Sequence, residues 1–138
     1  MIRVVFDTNV LFSAALKRTG VPAQTLDLVA DRILSPCVSN AVMAEYFEVL
    51  TRPVLHLHAA RVRELLEVMA KFAEHVSPAQ KLSLCSDSDD DCFLECALSA
   101  KARYLVTGNV RHFPKNYEPV AIVTPRQLLN DLIAQSHL

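Results

Sequence analysis

The 138-residue chain has no apolar run approaching the roughly 20 residues of a membrane span. Its N-terminus lacks the basic-then-apolar order of an export signal, because Asp7 interrupts the first apolar run early. A cytoplasmic protein with no membrane partner is therefore expected. The four cysteines, Cys37, Cys85, Cys92 and Cys96, have neither zinc-ribbon spacing nor the density of a secreted disulfide scaffold, so buried thiols are expected. Cys92 and Cys96 fall four apart on a predicted helix, where ordinary packing outweighs a metal role. There is no internal repeat, low-complexity segment or linker. A formal net charge of -1 leaves no overall basic footprint for nucleic acid.

What is present suffices for one domain spanning residues 1–138: 51% hydrophobic and 21% charged residues, enough to bury a sizeable core. Val4-Val5-Phe6 is too short for a helix and reads as a buried strand. Helices are predicted over Asn9 to Lys17, Pro22 to Asp31, Ala41 to Thr51, Leu57 to Ala73 and Asp90 to Ala102, with a last one opening at Pro125. Ser39 or Asn40 caps the third of these, and Pro53 stops it. Strands are predicted near Ile33 to Val38, His75 to Ser77, Tyr104 to Thr107 and Val120 to Val123. Strands alternating with helices predict an α/β fold, a small and mostly parallel sheet of four to five strands with helices on both sides.

The first strand ends on a carboxylate, Asp7, followed by Thr8 and Asn9. In open α/β sheets ligands bind at the carboxyl ends of strands, so this acid stands where chemistry is usually done. The plainer alternative is that Asp7 only caps the following helix. A helical wheel tests the other acids. Asp90 projects onto the face of Phe93, Leu94, Ala97 and Ala100, Asp91 lies at its edge, and Glu95 points further round. Their alternative role is helix capping. Glu45 lies on the edge of the face formed by Val42, Tyr46, Val49 and Leu50, where it is either a solvated flank residue or a site acid. Arg52, four residues after Glu48, fits an ion pair or a phosphate ligand. Acids arriving from a strand end, a helix edge and a helix N-terminus suggest convergence. Carboxylates within ~4–6 Å of each other raise one another's pKa unless a cation holds them ionised, and hard oxygen ligands select Mg²⁺ or Mn²⁺.

Four segments carry a family resemblance: Asp7-Thr-Asn-Val-Leu-Phe, Ser39 to Glu45, Asp87-Ser-Asp-Asp-Asp-Cys-Phe-Leu-Glu-Cys-Ala97, and Leu105-Val-Thr-Gly-Asn109. In this order they resemble a PIN-domain protein, and more narrowly the VapC-like toxin components of bacterial toxin–antitoxin pairs. The resemblance covers essentially the whole chain. It implies a three-layer α/β/α domain and a Mg²⁺- or Mn²⁺-dependent endoribonuclease that leaves 5′-phosphate and 3′-hydroxyl ends. Asp7 matches the family's first acid and Glu45 its second. For the third, the wheel prefers Asp90, whereas counting back from Asn109 lands on Asp91. The count is preferred, because the wheel assumes where the helix begins. Asp87 and Asp89 are weaker candidates in the same loop, Asp87 being a further possible metal ligand. Asn109 stands where the family often has Asp, and its carbonyl can still coordinate. Thr8, Asn9, Ser39 and Thr107 are expected behind the acids, orienting them or the attacking water.

The resemblance changes how the net charge is read. Setting aside Asp7, Glu45, Asp87, Asp89, Asp90, Asp91 and Glu95, seven of the fifteen acids, leaves eight against fourteen basic residues. An acidic hole within a mildly basic surface can accept RNA phosphates. Lys17, Arg18, Arg52, Arg111 and His112, near predicted mouth loops, are the candidate RNA-binding residues. The resemblance further implies a homodimer and a small antitoxin covering the site. Two rival functions are a PIN scaffold serving as an interaction module, and a haloacid-dehalogenase-like phosphatase. The second fits poorly, since its chemistry wants an acid where this chain has Asn9.

Overall fold

Val4, Val5 and Phe6 are wholly buried because their strand lies in the middle of the sheet. In the computed structural model, which describes residues 1–138, β1 (Ile2–Phe6) pairs in parallel with β2 (Leu34–Val38) on one side and β4 (Tyr104–Val106) on the other. Short outer strands β3 (Glu74–His75) and β5 (Ala121–Val123) complete the order β3-β2-β1-β4-β5, and all four pairings are parallel. A strand covered on both faces reads as a continuous apolar run rather than an alternating one, which is the pattern of Val4-Val5-Phe6.

Six helices flank the sheet: α1 (Thr8–Leu16), α2 (Val21–Ala30), α3 (Asn40–Leu50), α4 (Ala59–Phe72), α5 (Asp91–Ala100) and α6 (Pro125–Ala134). The connections from β1 through β2 to β3 step one way across the sheet, and β3 to β4 steps back. Right-handed crossovers therefore put α1 to α4 on one face and α5 on the other. Consistently, α1 packs on α2, α3 and α4, while α5 crosses β1, β2 and β4. Gly20, at φ +112°, opens α2 in a conformation that L side chains rarely adopt. Thr124 and Gln127 form a capping box at the start of α6.

One contact sets the geometry of the sheet's carboxyl edge. Tyr46, fully buried on α3, donates its hydroxyl hydrogen bond to the Phe6 carbonyl, and its ring lies 6.1 Å from that of Phe93 on α5. The residue before Asp7 is thus tied to α3 and, through Phe93, to α5. Most element boundaries fall within one or two residues of expectation, and two of the differences bear on the site. The third strand is Glu74–His75 rather than His75 to Ser77, and α5 begins at Asp91, after a 3-10 turn over Ser88–Asp90. A cluster of acids carries no apolar period from which such a turn can be read.

Candidate active site at the carboxyl edge

Asp7 occupies the N-cap position of α1, yet its side chain makes no cap hydrogen bond. Instead Thr107, following β4, donates its hydroxyl to Asp7 Oδ2 at 2.7 Å, and Asn9 Nδ2 donates to the same oxygen at 3.3 Å. Asn9 is itself fixed by the Gly108 N–H, 3.0 Å from its Oδ1, and Asn109 N donates to Thr107 Oγ1 at 3.0 Å. The capping alternative for Asp7 gives way to this network. Burial raises the Asp7 pKa, and the bonds from Thr107 and the neighbouring backbone oppose that rise.

Two further acids face Asp7. Glu45, half-buried on α3, has a raised pKa, caused first by burial and then by the charges of Asp89 and Glu48, with Arg52 opposing and Asp7 adding to the rise. Asp90, the last residue of the 3-10 turn, is pushed up to about 6 by burial, then by Asp7 and Asp87, with Glu45 adding and His112 opposing. Glu45 therefore feels the charge of Asp7, and Asp90 the charges of both, whereas the rise at Asp7 comes from burial. Asp91 is engaged elsewhere: its buried Oδ1 accepts the backbone N–H groups of Leu84 and Cys85, at 3.1 and 2.9 Å. Of the two candidates for the third acid, Asp91 thus holds the preceding loop, while Asp90 stands against His112. Asp87 caps the turn through Asp89 N at 3.0 Å, and Asp89 is exposed.

The remaining expected residues divide. Ser39 caps α3 through Val42 N at 3.1 Å, so its hydroxyl serves the helix rather than the acids. Thr8 Oγ1 is buried without a hydrogen-bond partner. Asn109 is exposed at the mouth. His112 Nδ1 lies 3.6 Å from Asp90 Oδ2, and Arg111 is exposed beside it. Arg52 pairs with Glu48 at 2.7 Å. Lys17 and Arg18 follow the far end of α1, about 14 Å of helix from Asp7, and Arg18 reaches Glu64 at 3.8 Å. Sequence reasoning missed Cys85, whose thiol is pushed up to about 12 by burial and by Asp91. It also missed Tyr46 as the anchor of the site's frame, although its place on the buried face of the wheel was the available signal.

The donor set suits a hard cation. It consists of carboxylates whose ionisation their surroundings oppose, together with an orphaned buried hydroxyl on Thr8. These carboxylates come from separate elements, and no three His, Cys, Asp or Glu side chains form a ready-made metal group. An apolar groove of about 590 Å³ between α3 and α4, lined by Met43, Phe47, Leu57 and Leu66 among others, includes none of these acids.

The class defined by these features is a three-layer α/β domain whose acids gather at the carboxyl ends of parallel strands. Comparison with known proteins supplies the family: residues 3–111 match the PIN domain, and the chain belongs to the PIN-domain family. PIN domains are generally nucleases, which sets the dehalogenase-like alternative aside. Uncharacterized protein MJ1680 of Methanocaldococcus jannaschii is 28% identical over 111 residues, 78% of this chain and 71% of that protein. Among solved structures, VapBC2 from Rickettsia felis, bound to a DNA fragment from its promoter, superposes with a TM-score of 0.59. It is 17% identical and covers 89% of this chain and 98% of that one. The RRP44 PIN domain of T. brucei superposes with a TM-score of 0.53 at 16% identity, covering 98% of this chain and 83% of that one.

Proposed function

We propose that the protein is a Mg²⁺- or Mn²⁺-dependent endoribonuclease and the toxin of a toxin–antitoxin pair. The observation that carries this reading is the gathering of acids from three elements at the carboxyl edge: the Asp7 charge raises the pKa of both Glu45 and Asp90, and Glu45 adds to the rise at Asp90. Asp7, Glu45 and Asp90 would hold the cation, with Asn109 able to add a neutral carbonyl ligand and Asp87 and Asp91 at the margin. A divalent cation supplies charge neutralisation of the phosphodiester and activation of water. The protein's part is orientation: Thr107 and Asn9 fix the Asp7 carboxylate, and Tyr46 fixes the helix that carries Glu45. Water attacks phosphorus, the P–O3′ bond breaks, and the products carry 5′-phosphate and 3′-hydroxyl ends.

Exposed Arg111 is the first candidate for an RNA phosphate, and Arg52 the second; His112, also considered for that role from the sequence, stands against Asp90 instead. Lys17 and Arg18, beyond α1, suit phosphates further along the strand. A small antitoxin and a homodimer belong to the same reading, supported by the likeness to VapBC2 and by Phe47 and Val54, exposed apolar residues of α3 and the following turn. We place the protein in the cytoplasm and treat residues 1–138 as one nuclease domain. A second reading, an interaction module with a weakened site, is favoured by Asn109 alone. The separating experiment is a Mn²⁺ titration followed by thermal shift and RNA cleavage. The nuclease gains stability and cuts RNA; a module does neither.

A further inference from the structure

The turn after β4 is tied to the site at both ends. At its start, Asn109 N donates to Thr107 Oγ1, which holds Asp7. At its end, the His112 N–H donates to the Asn109 carbonyl at 3.0 Å, and the His112 carbonyl accepts Ser86 N at 3.0 Å and Ser86 Oγ at 3.3 Å. Ser86 opens the acidic loop, one residue before Asp87. The backbone of His112 is therefore fixed from two directions, and only its side-chain torsions remain free. The imidazole is aimed at Asp90, with Nδ1 3.6 Å from Oδ2, and it is the one basic side chain paired with that carboxylate.

The three acids differ in how the protein holds them. Asp7 has Thr107 and Asn9. Glu45 rides on a helix anchored by Tyr46. Asp90 sits on a single 3-10 turn, pressed by the charges of Asp7, Asp87 and Glu45, with His112 facing it across the mouth. Neighbouring Arg111 is exposed and makes no ion pair, so it is placed to meet a substrate, whereas the half-exposed imidazole of His112 stands against Asp90.

We propose that His112 is the positioning residue for Asp90, holding this carboxylate toward Asp7 and Glu45 rather than binding RNA. The inference rests on reading those acids as one site. Groups standing behind a metal ligand typically contribute 10- to 100-fold to metal affinity.

The test compares His112→Ala with His112→Asn, whose amide nitrogen stands near the place of Nδ1. In metal-free protein, the NMR resonance of the Asp90 carboxyl carbon is expected to move in the Ala variant and to stay near its wild-type position in the Asn variant. In a Mn²⁺ titration read by thermal shift without RNA, the Ala variant needs about 10- to 100-fold more Mn²⁺ and the Asn variant recovers most of the loss. KM for RNA at saturating Mn²⁺ is unchanged. An Asp90 resonance unmoved in the Ala variant overturns the inference, as does a defect confined to KM for RNA and its salt dependence. Wild-type protein indifferent to Mn²⁺ defeats the reading of the acids as a metal site, and the metal-free resonance still decides the role of His112.

Discussion

The two ends of the parallel sheet handle charge in opposite ways. At the amino edge, Arg3 on β1 meets Glu74 on β3 at 2.7 Å, and the Glu74 pKa is lowered by that guanidinium. Lys101, Arg103 and Ser35 complete a cleft there, in which the single acid, Glu74, is paired. At the carboxyl edge, the pKa values of Asp7, Glu45 and Asp90 all rise, first through burial, with His112 and Arg52 opposing. The same fold thus keeps one edge where an acid is paired and one edge where acids are buried with little to oppose them, and the proposed cation site rests on the second. Raised pKa values set by burial plus specific like charges are the pattern of a candidate functional site; the lowered value at the amino edge is that of an ordinary surface pair.

The largest expected effect comes from neutralising the central acid. Asp7→Asn should lower RNA cleavage by about a thousandfold or more, since the cation it would hold neutralises charge at phosphorus. The variant should still fold, as Asn preserves the contact with Thr107. A clearly separated second effect concerns RNA affinity. Reversing Lys17, Arg18 and Arg111 together to Glu should weaken binding and make the plot of log affinity against log salt shallower by about 2. An unchanged slope would remove these residues from the RNA path.

Third, pH should act oppositely at the two edges. A carboxyl raised in the folded state disfavours folding once ionised. The carboxyl edge therefore gains stability in metal-free protein as pH falls through about 6, the Asp90 value, toward the unfolded value of 3.8. Glu74 is lowered, so its contribution is present above 4.5 and lost as pH falls below that value. In metal-free protein at pH 7.5, Asp90→Asn should raise Tm by about 2–4 °C, after allowing for water at the mouth. Mn²⁺ affinity should decline as pH drops through about 6, because ligands must be deprotonated to bind. The smallest effect belongs to the matched pair: Glu74→Gln should shift Tm by less than about 2 °C and leave cleavage unchanged. A large loss there would erase the distinction between the edges.

Much of this was legible in the sequence for identifiable reasons. Val4-Val5-Phe6 ends on Asp7, and the change from apolar strand to polar residues marks the sheet's carboxyl edge without ambiguity. The amphipathic period of α4, the capping residues of α3 and Pro125 at the start of α6 set those helices within a few residues. The run Asp87 to Asp91 was harder, since neighbouring identical side chains give no pattern from which to tell a 3-10 turn from a helix start. Which of them faces Asp7 depends on that one turn: Asp90 turns inward because α5 begins at Asp91, and Asp91 is drawn back by the Leu84 and Cys85 amides. Backbone amides leave no trace in a side-chain motif. The clasp between Ser86 and His112 was invisible for the same reason, being made through a main-chain carbonyl across 26 residues.

The function of the protein turns on whether the carboxyl edge is a cation-dependent nuclease site. The most direct measurement is cleavage of structured and unstructured RNA by purified protein with Mn²⁺ or with EDTA, beside Asp7→Asn. Cleavage in Mn²⁺ alone, giving 5′-phosphate ends and vanishing in Asp7→Asn, is the result expected. Cleavage that survives EDTA, or that Asp7→Asn performs at the wild-type rate, would contradict the account.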